Sequence, residues 1–147
     1  MLGLFDFLRR KVRKRTPRRQ TGDAAEQAAE RFLRKNGFRI IQRNVTYPRG
    51  EVDLVAVEKH SGALCFVEVR SRAVTDGRQP PISPEETVTL AKRRRIILAA
   101  QRFIRERRAA NRIIRFDVIA VRFAGEDRAK PDIRHYPGAF DARGRVL

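Results

Sequence analysis

Two neighbouring stretches, residues 51–58 and 64–72, limit the possible folds of this chain more than any other feature. Each is short and apolar at most of its positions, with Val, Leu, Ala, Cys and Phe through its middle, so each reads as a β-strand. Lys59-His60-Ser61-Gly62 lies between them and makes them a hairpin. A turn centred between His60 and Ser61 sets Val57 opposite Leu64, Val55 opposite Phe66 and Asp53 opposite Glu68. Side chains alternate across a strand. Asp53, Val55 and Val57 therefore share one face with Leu64, Phe66, Glu68 and Arg70, and Val52, Leu54, Ala56, Cys65, Val67 and Val69 share the other. Strands apolar on both faces belong inside a sheet covered on both sides. A single bulge would move this register by one residue.

In that setting Asp53 and Glu68 stand out. Like charges directly opposite one another are unfavourable, and buried carboxylates cost several kcal/mol unless neutralised. A divalent cation would neutralise both, and Mg²⁺ suits a site of one or two carboxylates completed by water and phosphate oxygens. The competing reading places both acids at strand ends, paired with arginines from a basic background. Two helical residues are candidates to join them. Glu26 lies on the stripe Glu26–Ala29–Leu33, and Lys92 on the stripe Lys92–Ile96–Ala99–Phe103. Either could equally be a surface residue snorkelling from its helix. Arg93, Arg94 and Arg95 read as a phosphate-facing or solvated patch.

The remaining elements follow from period and punctuation. Residues 22–36 predict a helix, with Thr21 or Gly22 as N-cap and Asn36-Gly37 as its end. A strand over 38–43 and a turn at Tyr47-Pro48-Arg49-Gly50 precede the hairpin. Residues 74–84, with Gly77, Pro80, Pro81 and Pro84, predict a loop. Ser83-Pro84-Glu85-Glu86 has the pattern of a helix start, and that helix extends to about residue 109. Strands over 113–123 and, more weakly, 132–136 complete the order α-β-β-β-α-β-β. This predicts an α/β fold, a mixed β-sheet flanked by helices.

The chain has 147 residues, which suits one domain of the usual size of roughly 100–150. Lys and Arg number 34 against 17 Asp and Glu, a formal net charge of +17 and a pI near 11.5. Such an excess repels itself unless neutralised. Nucleic-acid phosphates are the usual partner, an anionic membrane surface is a second, and a basic solubility shell or the Arg enrichment of a GC-rich genome a third. Residues 1–20 concentrate the charge, with Arg9, Arg10, Lys11, Arg13, Lys14, Arg15, Arg18 and Arg19 against Asp6 alone. They read as a basic, flexible arm before a domain over 21–141, with a tail at 142–147. No apolar run approaches the ~20 residues of a membrane span, and Met1-Leu2-Gly3-Leu4-Phe5 is too short for a signal core. The expected location is cytoplasmic, without stable membrane insertion. The one cysteine, Cys65, forms no disulfide within the chain and reads as a small buried residue. His60 and His135 show no metal-type spacing and read as structural or exposed. A P-loop, a Ser/His/Asp pattern and a CxxC pair are all missing from the sequence.

Gly50-Glu51-Val52-Asp53-Leu54-Val55, followed by Phe66-Val67-Glu68-Val69-Arg70-Ser71-Arg72, resembles the YraN-like family of uncharacterised bacterial proteins. That family is placed in the restriction-endonuclease-like, PD-(D/E)XK nuclease superfamily and is related to archaeal Holliday-junction resolvases. Gly22-Asp23-Ala24-Ala25-Glu26-Gln27-Ala28-Ala29 resembles its first helix, with Ala25 where the family usually shows glycine. Lys92 matches a basic residue on its second long helix. Arg115-Phe116-Asp117-Val118 and His135-Tyr136-Pro137-Gly138-Ala139-Phe140 match later segments, so the likeness covers about residues 22–140. It implies a restriction-endonuclease-like sheet and a Mg²⁺-dependent endonuclease, Mn²⁺ also serving, acting on branched or otherwise structured DNA. By the same resemblance Glu26, Asp53 and Glu68 hold the metal, with the Val69 carbonyl. Junction-resolving relatives are dimers, so a homodimer is an open expectation. The superfamily usually has lysine where this chain has Arg70, and an arginine keeps its proton near neutral pH. Either the cation activates water unaided, or Lys92 stands in for that lysine, or catalysis is weak or absent and the chain is a nucleic-acid-binding protein that keeps the fold.

Overall fold

Phe38–Tyr47 (β1), Gly50–Glu58 (β2), Leu64–Val74 (β3), Ile114–Ala124 (β4) and Asp132–Phe140 (β5) form one open sheet in the order β1-β2-β3-β4-β5. A computed structural model describes residues 17–74, 88–124 and 130–147. Most of the basic arm and the helix start expected at Ser83 lie outside the described residues. β3 and β4 are parallel and all other neighbours antiparallel. A parallel pair needs a crossover, and helix α2 (Leu90–Arg107) lies within it. Helix α1 (Pro17–Lys35) precedes the sheet. The order is the expected α-β-β-β-α-β-β, and the sheet is mixed.

The two helices cover opposite faces. Ala25, Ala28, Ala29 and Leu33, three or four apart on α1, pack on Leu54, Ala56, Cys65, Val67, Ile119 and Val121. Ile96, Ala99, Ala100 and Phe103 of α2 pack on Val55, Val57, Leu64, Phe66, Phe116 and Val118. This double burial is why both hairpin strands are apolar on both faces. The hairpin register is the expected one, Val57 pairing with Leu64 and Val55 with Phe66. Val52 departs from the expected alternation. It belongs to the α2-side cluster, whereas Leu54 and Ala56 face α1.

Several boundaries move. α1 begins at Pro17, before the expected residue 22; proline suits a first helical position because its missing N–H has no intrahelical acceptor there. Gly37, with φ +84, ends the helix as expected. β1 runs to Tyr47 rather than residue 43, because its pairing with β2 continues to Tyr47↔Gly50. β5 extends through Pro137 to Phe140; an edge strand tolerates proline where a central one does not. The N-cap of α2 is Thr89, which is extended and whose Oγ1 accepts from Lys92 N at 3.2 Å, so this helix starts at Leu90.

Gly50 fixes how the β1–β2 turn meets α2. A Cβ there would stand 2.1 Å from the Arg95 carbonyl oxygen and 3.0 Å from Ala99 N. Both are helix backbone and cannot swing aside. Gly50→Ala is therefore expected to destabilise the fold by about 1–3 kcal/mol, as overpacking does. A urea midpoint unchanged from the parent protein would contradict this docking.

Candidate carboxylate site

Hydrogen-bonded pairing between β2 and β3 runs from Val57↔Leu64 as far as Leu54↔Val67. Beyond it the Asp53 side chain makes the link, Oδ2 accepting from Val69 N at 2.7 Å. The residues expected to face each other therefore sit at the end of the hairpin ladder. Glu68 is only 3% exposed. Its Oε1 lies 3.7 Å from Lys92 Nζ and 3.8 Å from Arg70 Nη1, longer than hydrogen bonds. Its Oε2 is buried and has no hydrogen-bond partner. Burial, then the Asp53 charge, holds the Glu68 carboxyl well above the usual carboxylate range. Burial raises Asp53 as well, against the opposing bond from Val69. The Asp53 charge disfavours ionisation of Glu68, while the side-chain hydrogen bond between them favours the Asp53 carboxylate.

Lys92 is central to this site. Its Nζ donates to Glu51 Oε1 at 2.6 Å, and Glu51 is the site residue that sequence reasoning missed. The available signal was position, two residues before Asp53 on the same strand. Burial lowers the Lys92 pKa, but the Glu51 bond and the charges of Glu68, Glu51 and Asp53 outweigh it and raise it overall. Lys92 is a fixed cation. Arg70 reaches the site from solvent, with a side chain 45% exposed.

Glu26 stands on the α1 side, lining a cavity of about 260 Å³ with Asp23, Gln27, Glu30, Arg43 and Asn44. Its carboxyl is pushed up to about 7, by burial first and then by the charges of Asp53 and Asp23. It senses Asp53 electrically. Among the described residues, however, no three His, Cys, Asp or Glu side chains gather into a metal-holding group. The structure thus brings together Asp53, Glu68, Val69, Lys92 and Arg70, and leaves Glu26 beside them.

The raised Glu68 carboxyl has a consequence for stability. Its pKa in the folded protein lies above the unfolded value of about 4.3. Its contribution to stability is thus present below that value and lost as pH rises through the folded pKa. At neutral pH, without divalent cation, Glu68→Gln is expected to raise the melting temperature. Added Mg²⁺ should then stabilise the parent and not the variant. A variant that melts at or below the parent would show that Glu68 carries no such penalty.

A second polar cluster lies on the opposite face, under α1. Asp117 is fully buried on β4. Arg115 Nε and Nη2 donate to its two oxygens at 2.8 and 2.9 Å, Gly138 N donates at 3.0 Å, and His135 Nε2 is 2.9 Å away. Arg115 also reaches Glu58 at 3.1 Å. The His135 ring packs edge-on against Phe32 and Phe38. His135 therefore has a structural partner, while His60 is exposed in the hairpin turn. Cys65 is buried as expected, its thiol pushed up to about 12 by burial and then by the Asp117 charge.

Fold and site together define an α/β protein with an open mixed sheet and an acidic pair, buried Glu68 and half-buried Asp53, at the end of its central hairpin. The model of the uncharacterised protein family UPF0102 matches residues 25–121, and the chain belongs to that family. A UPF0102 protein of Syntrophotalea carbinolica is 42% identical over 124 residues, covering 84% of this chain and 93% of the relative. One from Anaeromyxobacter sp. is 44% identical over 128 residues, covering 87% and 90%. One from Myxococcus xanthus is 43% identical over 125 residues, covering 85% and 92%. No described helix is long and apolar enough to cross a membrane.

Proposed function

We propose that this protein is a Mg²⁺-dependent DNA endonuclease, with Mn²⁺ able to substitute, that hydrolyses phosphodiester bonds in branched or otherwise structured DNA. The observation that carries this reading is the buried, partnerless Glu68 Oε2 beside a second raised carboxyl, Asp53. Burying such a pair is costly unless a cation neutralises it. Two carboxylates and a main-chain oxygen suit Mg²⁺, which keeps several of its positions for water and phosphate. Asp53, Glu68 and the Val69 carbonyl would hold it, with Glu26 supporting from α1. When bound, the cation supplies Lewis acidity toward the phosphate and lowers the pKa of water.

The chain's own groups do the remaining work. Val69 N–H aims the Asp53 carboxylate. Lys92, held protonated, and the Arg70 guanidinium oppose the negative charge that grows on the phosphate as it is attacked. The net charge of +17 supplies sequence-independent affinity for DNA. A cytoplasmic location and a homodimeric assembly belong to the same reading.

A second reading is favoured by Arg70, which cannot serve as a base: a DNA-binding protein that keeps the fold without the chemistry. Mg²⁺ and Mn²⁺ titrations on linear, single-stranded, flapped and four-way-junction DNA separate the two. Cleavage that depends on the cation supports the nuclease, and DNA that is shifted yet uncut in both metals supports the binding protein.

A further inference from the structure

Beside the carboxylate site, a groove of about 400 Å³ opens between the β1–β2 turn and the outer face of α2. Tyr47 and Arg49 line one wall, and Leu98, Gln101, Arg102 and Arg105 the other. Leu98 lies three and four residues before Gln101 and Arg102, and Arg105 four and three after them, so the four share one side of the helix. Gly50 holds the turn against the helix backbone, so the groove is preformed. Glu51, the residue after Gly50, takes the Lys92 ammonium. The groove thus meets the carboxylate site within one residue.

Its cations divide into two kinds. Glu106 pins Tyr47 and Arg102, accepting from the Tyr47 hydroxyl at 2.8 Å and from Arg102 Nε at 3.1 Å, and the Arg102 guanidinium lies 4.8 Å from the Tyr47 ring centre. Arg49 and Arg105 make no ion pair with any described residue. Among them sits Leu98, a large apolar side chain 45% exposed. Aliphatic and aromatic surface alternating with unpaired arginines matches an unpaired nucleic-acid strand, which offers phosphates and base faces together. A duplex offers phosphates to the arginines but hides its base faces in the stack, away from Leu98 and Tyr47.

We propose that this groove seats an unpaired DNA strand, its phosphates on Arg49 and Arg105 and a base against Leu98 and Tyr47, delivering the adjoining strand to the carboxylate site. The inference rests on the nuclease reading for its DNA and adds the form of DNA that is bound. The test uses the full chain without divalent cation, with fluorescence anisotropy of labelled oligothymidylate and of duplex DNA of equal length. Arg49→Ala/Arg105→Ala is expected to reduce the salt slope for oligothymidylate by about 1.4, as for two lost phosphate contacts, and to weaken binding about tenfold or more at ordinary salt. Leu98→Ser should weaken oligothymidylate about fivefold, as for one lost apolar contact with a base, and leave duplex binding unchanged. The inference is overturned if the parent binds no oligothymidylate, if neither variant loses it, or if both variants lose duplex equally. Because binding is read without metal, it separates from the nuclease assignment. A protein that never cuts but shows these losses keeps the groove and forfeits the nuclease, and one that cuts while the variants bind normally does the reverse.

Discussion

Asp53→Ala is expected to lower Mg²⁺-dependent cleavage more than a hundredfold while leaving DNA affinity nearly unchanged. Removing a group that merely orients a metal ligand costs about 10–100-fold, so losing one of two carboxylate ligands should cost more. In that reading DNA affinity is spread over many of the chain's 34 Lys and Arg, and no single acid supports it. The alanine variant also strips Val69 N of its acceptor, a cost of about 1–3 kcal/mol for a buried donor. Asp53→Asn should accompany it, because the amide oxygen can still accept that bond while the charge is gone. Both variants should lose Mg²⁺ binding by calorimetry. Cleavage that persists at the parent rate in both would remove the acidic pair from the chemistry.

The largest expected effect on stability is at Asp117. Replacing it by Ala leaves Arg115 and Gly138 N without their acceptor and His135 without its partner. Breaking one side of a buried, hydrogen-bonded charge pair costs about 3–5 kcal/mol. The pH dependence has a definite sign. Burial raises the Asp117 pKa, but bonds from His135, Arg115 and Gly138 outweigh it and hold it below the ordinary value. Its stabilisation is thus present above the unfolded aspartate pKa of about 3.9 and is lost as pH falls through the folded value. Denaturant melts of the parent and Asp117→Ala should differ most near neutral pH and converge in strong acid. A gap that is small at pH 7, or constant down to the acid limit, would mean the network is not what holds α1, β4 and β5 together.

Much of this was legible because it depends on short-range pattern. Alternation and turn residues set the register from Val57↔Leu64 to Leu54↔Val67, which brings Asp53 and Glu68 to the end of that ladder. The three-four spacing on α1 and α2 located their buried faces, including Ala29, Leu33, Ile96, Ala99 and Phe103. Other features were hidden because their partners are distant in sequence. Glu51 reads as one more polar residue until Lys92, on a helix that begins after a long crossover, places its ammonium 2.6 Å away. Asp117 reads as an acid interrupting a strand until Arg115, His135 and Gly138 surround it.

By itself, then, the sequence determined the order of elements, the doubly covered hairpin, the acidic pair at its end and the excess of basic charge, since each follows from residue type, spacing and hydropathy along the chain. Only the tertiary structure decided that β3 and β4 run parallel, that Val52 turns to the α2 side, that Glu68 Oε2 is left without a partner, and that Glu26 stands beside the pair rather than within it. Those outcomes depend on how two helices close over opposite faces of the sheet. That closure sets which carboxylates lose water and which cations come within reach, and interactions of this kind have no local signature in the chain.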